Sequence, residues 1–180
     1  MKTEIDVIRD VSQRLQRAKI PYMLTGSIAM NYYAEPRMTR DIDLVLALQP
    51  KDASLIVKAF SPNYYVSEQA IAEAIAHESI FNLIHQESVI KVDCIARKNT
   101  EYRKLEFERR KSVKIQDFST YIVSKEDLII SKLLWAKDSH SEVQLRDVKN
   151  LLSTGCDKAY LAEWTKKLEI DSLLKECLHG

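Results

Sequence analysis

A chain of 180 residues can bury one substantial core, or one core with a small helical appendage. Its 46% hydrophobic and 29% charged residues exclude the low hydrophobicity that predicts disorder. The formal net charge of +1 excludes a global attraction to nucleic acid, so any such contact has to come from a local patch.

Thr3 is a helix start signal, and Ile5, Ile8, Val11, Leu15 and Ala18 form a helical stripe ending near Lys19, with Pro21 just beyond. Nothing in this first segment has the apolar core of a signal peptide, and no run approaches the roughly 18 apolar residues of a membrane span. A cytoplasmic protein with no membrane partner is the expectation.

Residues 22–25 read as a strand and 27–34 as a helix, which Glu35-Pro36 ends because the residue before proline avoids the helical region. Tyr32 and Tyr33 on that helix are expected in the core. The chain has only 3 glycines, where an average chain carries about 7%. Gly26 therefore marks a place where the backbone itself is needed: between an apolar run and a helix start, free N–H groups can cradle a phosphate. Ser27 suits both phosphate contact and an ordinary helix N-cap.

The next strand, 41–48, alternates, with Ile42, Leu44 and Leu46 on one face and Asp41, Asp43 and Val45 on the other. Asp41 and Asp43 thus share a face, roughly 6–7 Å apart. Two like charges so placed disfavour each other until a divalent cation sits between them. Arg37 and Arg40 flank the pair and either touch phosphates or balance charge.

A helix at 51–60, a short strand at 64–66 and an alanine-rich helix at 68–76 lead to two antiparallel strands, 79–85 and 88–96, joined at Gln86-Glu87. Asp93 on the second strand can supply a third oxygen ligand. Three carboxylates without clustered cysteine or histidine are hard ligands, which suit Mg²⁺ or Mn²⁺ rather than zinc. The densest basic patch is Arg103, Lys104, Arg109, Arg110, Lys111 and Lys114, interleaved with glutamates as on a solvated hairpin or helix. Strands recur at 113–116 and 121–123.

From Lys125 the pattern is helical: 126–137, 141–153, 158–168 and 170–178. The fold class is therefore α+β, with a mixed core over 1–124 and a helical region over 125–180 packed on it. The helix around Lys132 is apolar nearly all round and should be buried, Trp135 included. Lys132 in it needs an anion, either Asp147 or a bound triphosphate.

Gly26-Ser27, 13 intervening residues and Asp41-Ile42-Asp43-Leu44 resemble the signature of the DNA polymerase β-like nucleotidyltransferase superfamily. The fuller string Arg37-x-Thr39-x-Asp41-Ile42-Asp43 is similar to the abortive-infection type IV toxin nucleotidyltransferases, and Lys132 and Asp147 match a lysine and an aspartate of that group in type and order. The resemblance implies a mixed sheet flanked by helices and a nucleotidyltransferase that moves a nucleoside monophosphate from a Mg²⁺-bound nucleoside triphosphate to a hydroxyl. Asp41, Asp43 and Asp93 would hold the metal, while Gly26, Ser27, Arg37, Thr39 and Arg40 grip the nucleotide. Lys132 would add positive charge, and Asp147 would orient it or act as base. The toxin-like group implies the 3′ end of a tRNA as acceptor and an antitoxin as partner. The alternatives are an antibiotic or other small molecule as acceptor, or a nucleotide-binding regulatory protein without turnover. Thr25 departs from the usual apolar residue at its position.

Overall fold

The computed structural model describes residues 2–38 and 41–179, so Thr39 and Arg40, both expected to bind nucleotide, lie outside the described residues. The chain divides into two compact units, Met1–Ile28 with Met38–Val123, and Ala29–Arg37 with Ser124–Gly180.

In the first unit the elements run α1 (Glu4–Arg17), β1 (Tyr22–Thr25), the start of α2 (Gly26–Tyr33), β2 (Ile42–Leu46), α3 (Asp52–Phe60), β3 (Tyr64–Tyr65), α4 (Glu68–His77), β4 (Ile80–His85), β5 (Lys91–Ala96), α5 (Glu101–Glu108), β6 (Lys111–Ile115) and β7 (Phe118–Ile122). The strands form one mixed sheet in the order β3-β4-β5-β2-β1-β7-β6. β2 runs antiparallel to β1 and parallel to β5, and β1 runs parallel to β7. Strand alternation places Ile42, Leu44 and Leu46 beside Val92, Cys94 and Ala96, all buried. Each such aliphatic side chain contributes about 1.5–3 kcal/mol of burial. At α1, Thr3 and Asp6 form the reciprocal capping box that satisfies two otherwise orphaned N–H groups.

Several boundaries differ from the sequence expectation, and the strands expected at 113–116 and 121–123 run Lys111–Ile115 and Phe118–Ile122. Asp41 precedes β2 instead of opening it. The loop between β4 and β5 spans residues 86–90 rather than two, because the buried His85 ring engages Ser88 Oγ at 2.8 Å and the Ser88 N–H at 3.2 Å, and Val89 turns with φ +57°. Residues 101–108, within the patch read as a hairpin or helix, form α5, capped by Thr100 Oγ1; Tyr102 and Phe107 give too sparse a stripe to decide between the two from sequence.

Burial, with the Lys2 ammonium as a smaller cause, holds the His85 imidazole below its ordinary value of 6.5. A folded-state value depressed below the unfolded one adds stability above about pH 6.5 that is lost as the pH falls. The thermal midpoint should therefore drop between about pH 7 and pH 5, and His85→Gln should flatten part of that slope. An identical slope in the variant would show that other groups carry it.

In the second unit, α2 ends and α6 (Lys125–Ser139), α7 (Glu142–Ser153), α8 (Lys158–Lys167) and α9 (Asp171–His179) follow. Ser124 caps α6 by accepting from the Asp127 N–H at 3.2 Å, and the buried Asp127 also accepts from Tyr160 Oη at 2.6 Å. Leu128, Ile129, Ile130 and Leu133 are buried, as expected of an all-round apolar helix. Trp135 is not: it is 59% exposed, so the buried pattern does not extend around the last turns. Tyr32 also corrects the expectation of a core residue, being 48% exposed and edge-on to Tyr33 at 5.0 Å. No helix among the described residues is long and apolar enough to cross a membrane.

Candidate functional site

Within the first unit the strand registers draw a polar row across four strands: Asn82 pairs with Asp93, Asp93 with Asp43, and Asp43 with Thr25. Parallel pairing of β2 and β5 thus sets two of the three expected acids side by side. Asp41 stands exposed two residues before Asp43. The Asp93 carboxylate accepts from Asn82 Nδ2 and meets Lys91 Nζ at 3.2 Å. Two carboxylates in adjacent register repel each other, and the lysine offsets the charge on one of them. Among the described residues no group of three or more His, Cys, Asp or Glu side chains is arranged to hold a metal ion.

Gly26 follows Thr25 directly and so sits beside Asp43. Its φ of +59° is left-handed, and a Cβ there would lie 2.9 Å from Asp43 Cγ and 3.1 Å from Asp43 Cβ, with Oδ2 closer still. The glycine is therefore required twice, by conformation and by close approach. The turn and the acid strand, read as separate signals in the sequence, are one packed feature. Gly26→Ala should cost about 1–2 kcal/mol from the φ angle alone. Denaturant titration measures the loss, and unchanged stability would show that the turn carries no conformational requirement for glycine.

In the second unit Lys132, 5% exposed, donates to Asp147 Oδ2 at 2.8 Å and to Gln144 Oε1 at 3.1 Å. Asp147 is 1% exposed and also accepts from Arg37 Nη2 at 3.2 Å, so one buried carboxylate serves two cations. Arg37 is held at its backbone by Asn31, which donates to the Arg37 carbonyl and accepts from its N–H, both at 2.9 Å. Its side chain remains 37% exposed, the most accessible group of this network.

Sequence reasoning missed Asn82, Gln144 and Asn31. Gln144 was discoverable, since it lies three residues before Asp147 on one helix face. Asn82 needed the hairpin register, and Asn31 holds Arg37 through an irregular segment that no periodicity marks.

No protein-family model and no curated protein matches the sequence. Solved structures do match. The solution structure of the antibiotic-resistance factor ANT(2'')-Ia aligns with a TM-score of 0.59 and 11% identity over 98% of both chains. An antigenic nucleotidyltransferase-like protein from Paracoccidioides brasiliensis aligns at 0.57 and 17% identity, over 96% of this chain and 92% of its own. The lincosamide antibiotic adenylyltransferase LnuA, bound to lincomycin, aligns at 0.53 and 16% identity, over 84% of this chain and 98% of its own. The α+β architecture is the nucleotidyltransferase fold, as the sequence resemblance implied.

Proposed function

We propose that the chain is a divalent-metal-dependent nucleotidyltransferase that moves a nucleoside monophosphate from a nucleoside triphosphate to an acceptor hydroxyl. The observation that carries this reading is the seating of Gly26 on the Asp43 carboxylate, which joins a phosphate-type turn to an acid pair. In the transfer the acceptor hydroxyl gives its proton to solvent as its oxygen bonds to the α-phosphorus, the bond from that phosphorus to the bridging oxygen breaks, and pyrophosphate leaves with the electron pair.

Asp41 and Asp43 are the metal ligands in this reading, with hard oxygens suited to Mg²⁺ or Mn²⁺. Bound there, the ion would neutralise triphosphate charge and favour in-line displacement. Asp93 joins as third ligand only on releasing Lys91 and Asn82. Gly26 and Ser27 supply backbone N–H groups to the phosphates. Arg37 is the accessible cation of the Lys132 network and the one suited to meet a phosphate, with Lys132 and Asp147 as its positioning residues. The burial of Asp147 between two cations favours the orienting role over that of base.

For the acceptor, the Arg37-x-Thr39-x-Asp41-Ile42-Asp43 string favours the 3′ end of a tRNA, with an antitoxin as cognate partner. A small molecule is the second reading, favoured by the fold neighbours: one is bound to lincomycin and another is in complex with adenylyl-2"-tobramycin. Incubation with each α-labelled nucleoside triphosphate, total tRNA and a panel of hydroxylated small molecules tests both. Label should pass to an acceptor with Mg²⁺ and stay in the triphosphate with EDTA. Metal-dependent binding without transfer to any acceptor would favour a regulatory nucleotide-binding protein instead.

A further inference from the structure

The basic patch read from the sequence does not persist as a unit. Arg103 is spent on the buried Glu106, at 2.9–3.0 Å. Arg110 instead joins cations from distant segments of the same unit, around the last turn of α1. One cavity there, about 440 Å³, is lined by Arg14, Arg17, Leu55 and Lys58 among others. A second, about 390 Å³, is lined by Lys19, Tyr22, Arg110, Ser112, Ser119 and Tyr121 among others. No carboxylate lines either cavity. Arg14 is paired with Asp10 at 2.9 Å. Arg17, Lys19, Lys58 and Arg110 form no ion pair among the described residues.

The second cavity carries more than charge. Its floor is a satisfied polar chain: Gln16 Nε2 donates to Tyr22 Oη at 2.8 Å, Tyr22 Oη meets Thr120 Oγ1 at 3.0 Å, and Thr120 Oγ1 meets Ser12 Oγ at 2.9 Å. On its wall the Arg110 guanidinium lies 4.3 Å from the Phe107 ring centroid and 5.2 Å from that of Tyr121. Tyr121 is 37% exposed. A guanidinium fixed beside an accessible aromatic ring is suited to a phosphate with a stacked base. The first cavity is lined by Arg14, Arg17 and Ala18 and the second by Gln16 and Lys19, residues that alternate around the end of α1; at about 100° per residue they face different ways, which suits a ligand with several phosphates.

We propose that the last turn of α1 and the β6–β7 hairpin form a binding track for a single-stranded polynucleotide, its phosphates on Arg17, Lys58, Lys19 and Arg110 and one base on Tyr121. The track requires no metal and stands independently of the proposed transfer chemistry. It also meets the requirement set by a net charge of +1, since attraction comes from a local patch assembled by the fold.

The test is fluorescence anisotropy of an end-labelled single-stranded RNA of about 12 nucleotides on the full chain in EDTA, across a range of salt. Three to four phosphate contacts give a log–log salt slope of about −2 to −3. Arg17→Gln/Lys58→Gln and Lys19→Gln/Arg110→Gln should each weaken binding at least about tenfold and reduce the slope by roughly 1 to 1.5. Tyr121→Ala should weaken it about tenfold. Ser112→Glu, at an exposed position that leaves the fold intact, should weaken it as well, whereas Lys175→Gln and Asp43→Asn should not. Salt-independent binding, unchanged affinity in both double variants, or displacement by adenosine monophosphate at concentrations equal to unlabelled RNA would overturn the proposal.

Discussion

Asp43→Asn should lower the proposed nucleotide transfer by about 10³-fold or more, as expected for loss of a carboxylate proposed to hold the charge-neutralising ion. The thermal midpoint of this variant should fall far less than the activity does. Asp43 is half-buried and lies in register with Asp93, so neutralising it removes a repulsion between parallel neighbours. Asparagine also keeps the shape that meets Gly26. Activity and stability moving apart in this way is the behaviour of a residue kept for function. A structural aspartate would lose both together. Paired measurements of label transfer and thermal unfolding on the one variant decide between these, and a loss of activity matched by a fall in midpoint of several degrees would contradict the assignment.

Lys132→Met should destabilise the protein by about 1–3 kcal/mol, because it takes one of two cations from the Asp147 carboxylate at 1% exposure and leaves Arg37 at 3.2 Å. For a chain of this size that corresponds to a midpoint roughly 2–12 °C lower. The double variant Lys132→Met/Asp147→Leu should recover much of the loss, since an apolar pair of similar volume needs no compensating charge. Arg37 still has Asp147 as partner in the single variant and loses it in the double. If Asp147 acts by placing Arg37, the double variant should be stable but impaired in nucleotide affinity. Recovery of both stability and affinity would limit the network to a structural role.

The Ile42–Leu46 strand was legible because period-two alternation depends only on which face is buried, and the registers of β2 and β5 follow that alternation residue by residue. Gly26 stood out by composition alone, yet its contact with Asp43 was not legible, since it depends on β1 lying antiparallel to β2 with Thr25 opposite Asp43. Lys132 announced its need for an anion through its apolar neighbours, but the choice of Asp147 is a product of helix packing between α6 and α7. The Arg110 cavity was hidden for a related reason: charges interleaved in sequence sort onto different faces only once the backbone is known. Tyr32 and Trp135 show the limit of apolar pattern as a guide to burial, since large aromatic side chains are seldom wholly enclosed.

In the proposed function Asp41 and Asp43 bind a nucleoside triphosphate through a divalent metal. Calorimetric titration with a non-hydrolysable triphosphate analogue, in Mg²⁺ and again in EDTA, for the native chain and for Asp41→Asn and Asp43→Asn, tests it most directly. Saturable binding in Mg²⁺ that vanishes in EDTA and in both variants is the predicted result. Binding of equal affinity in EDTA, or undiminished in both variants, would contradict it.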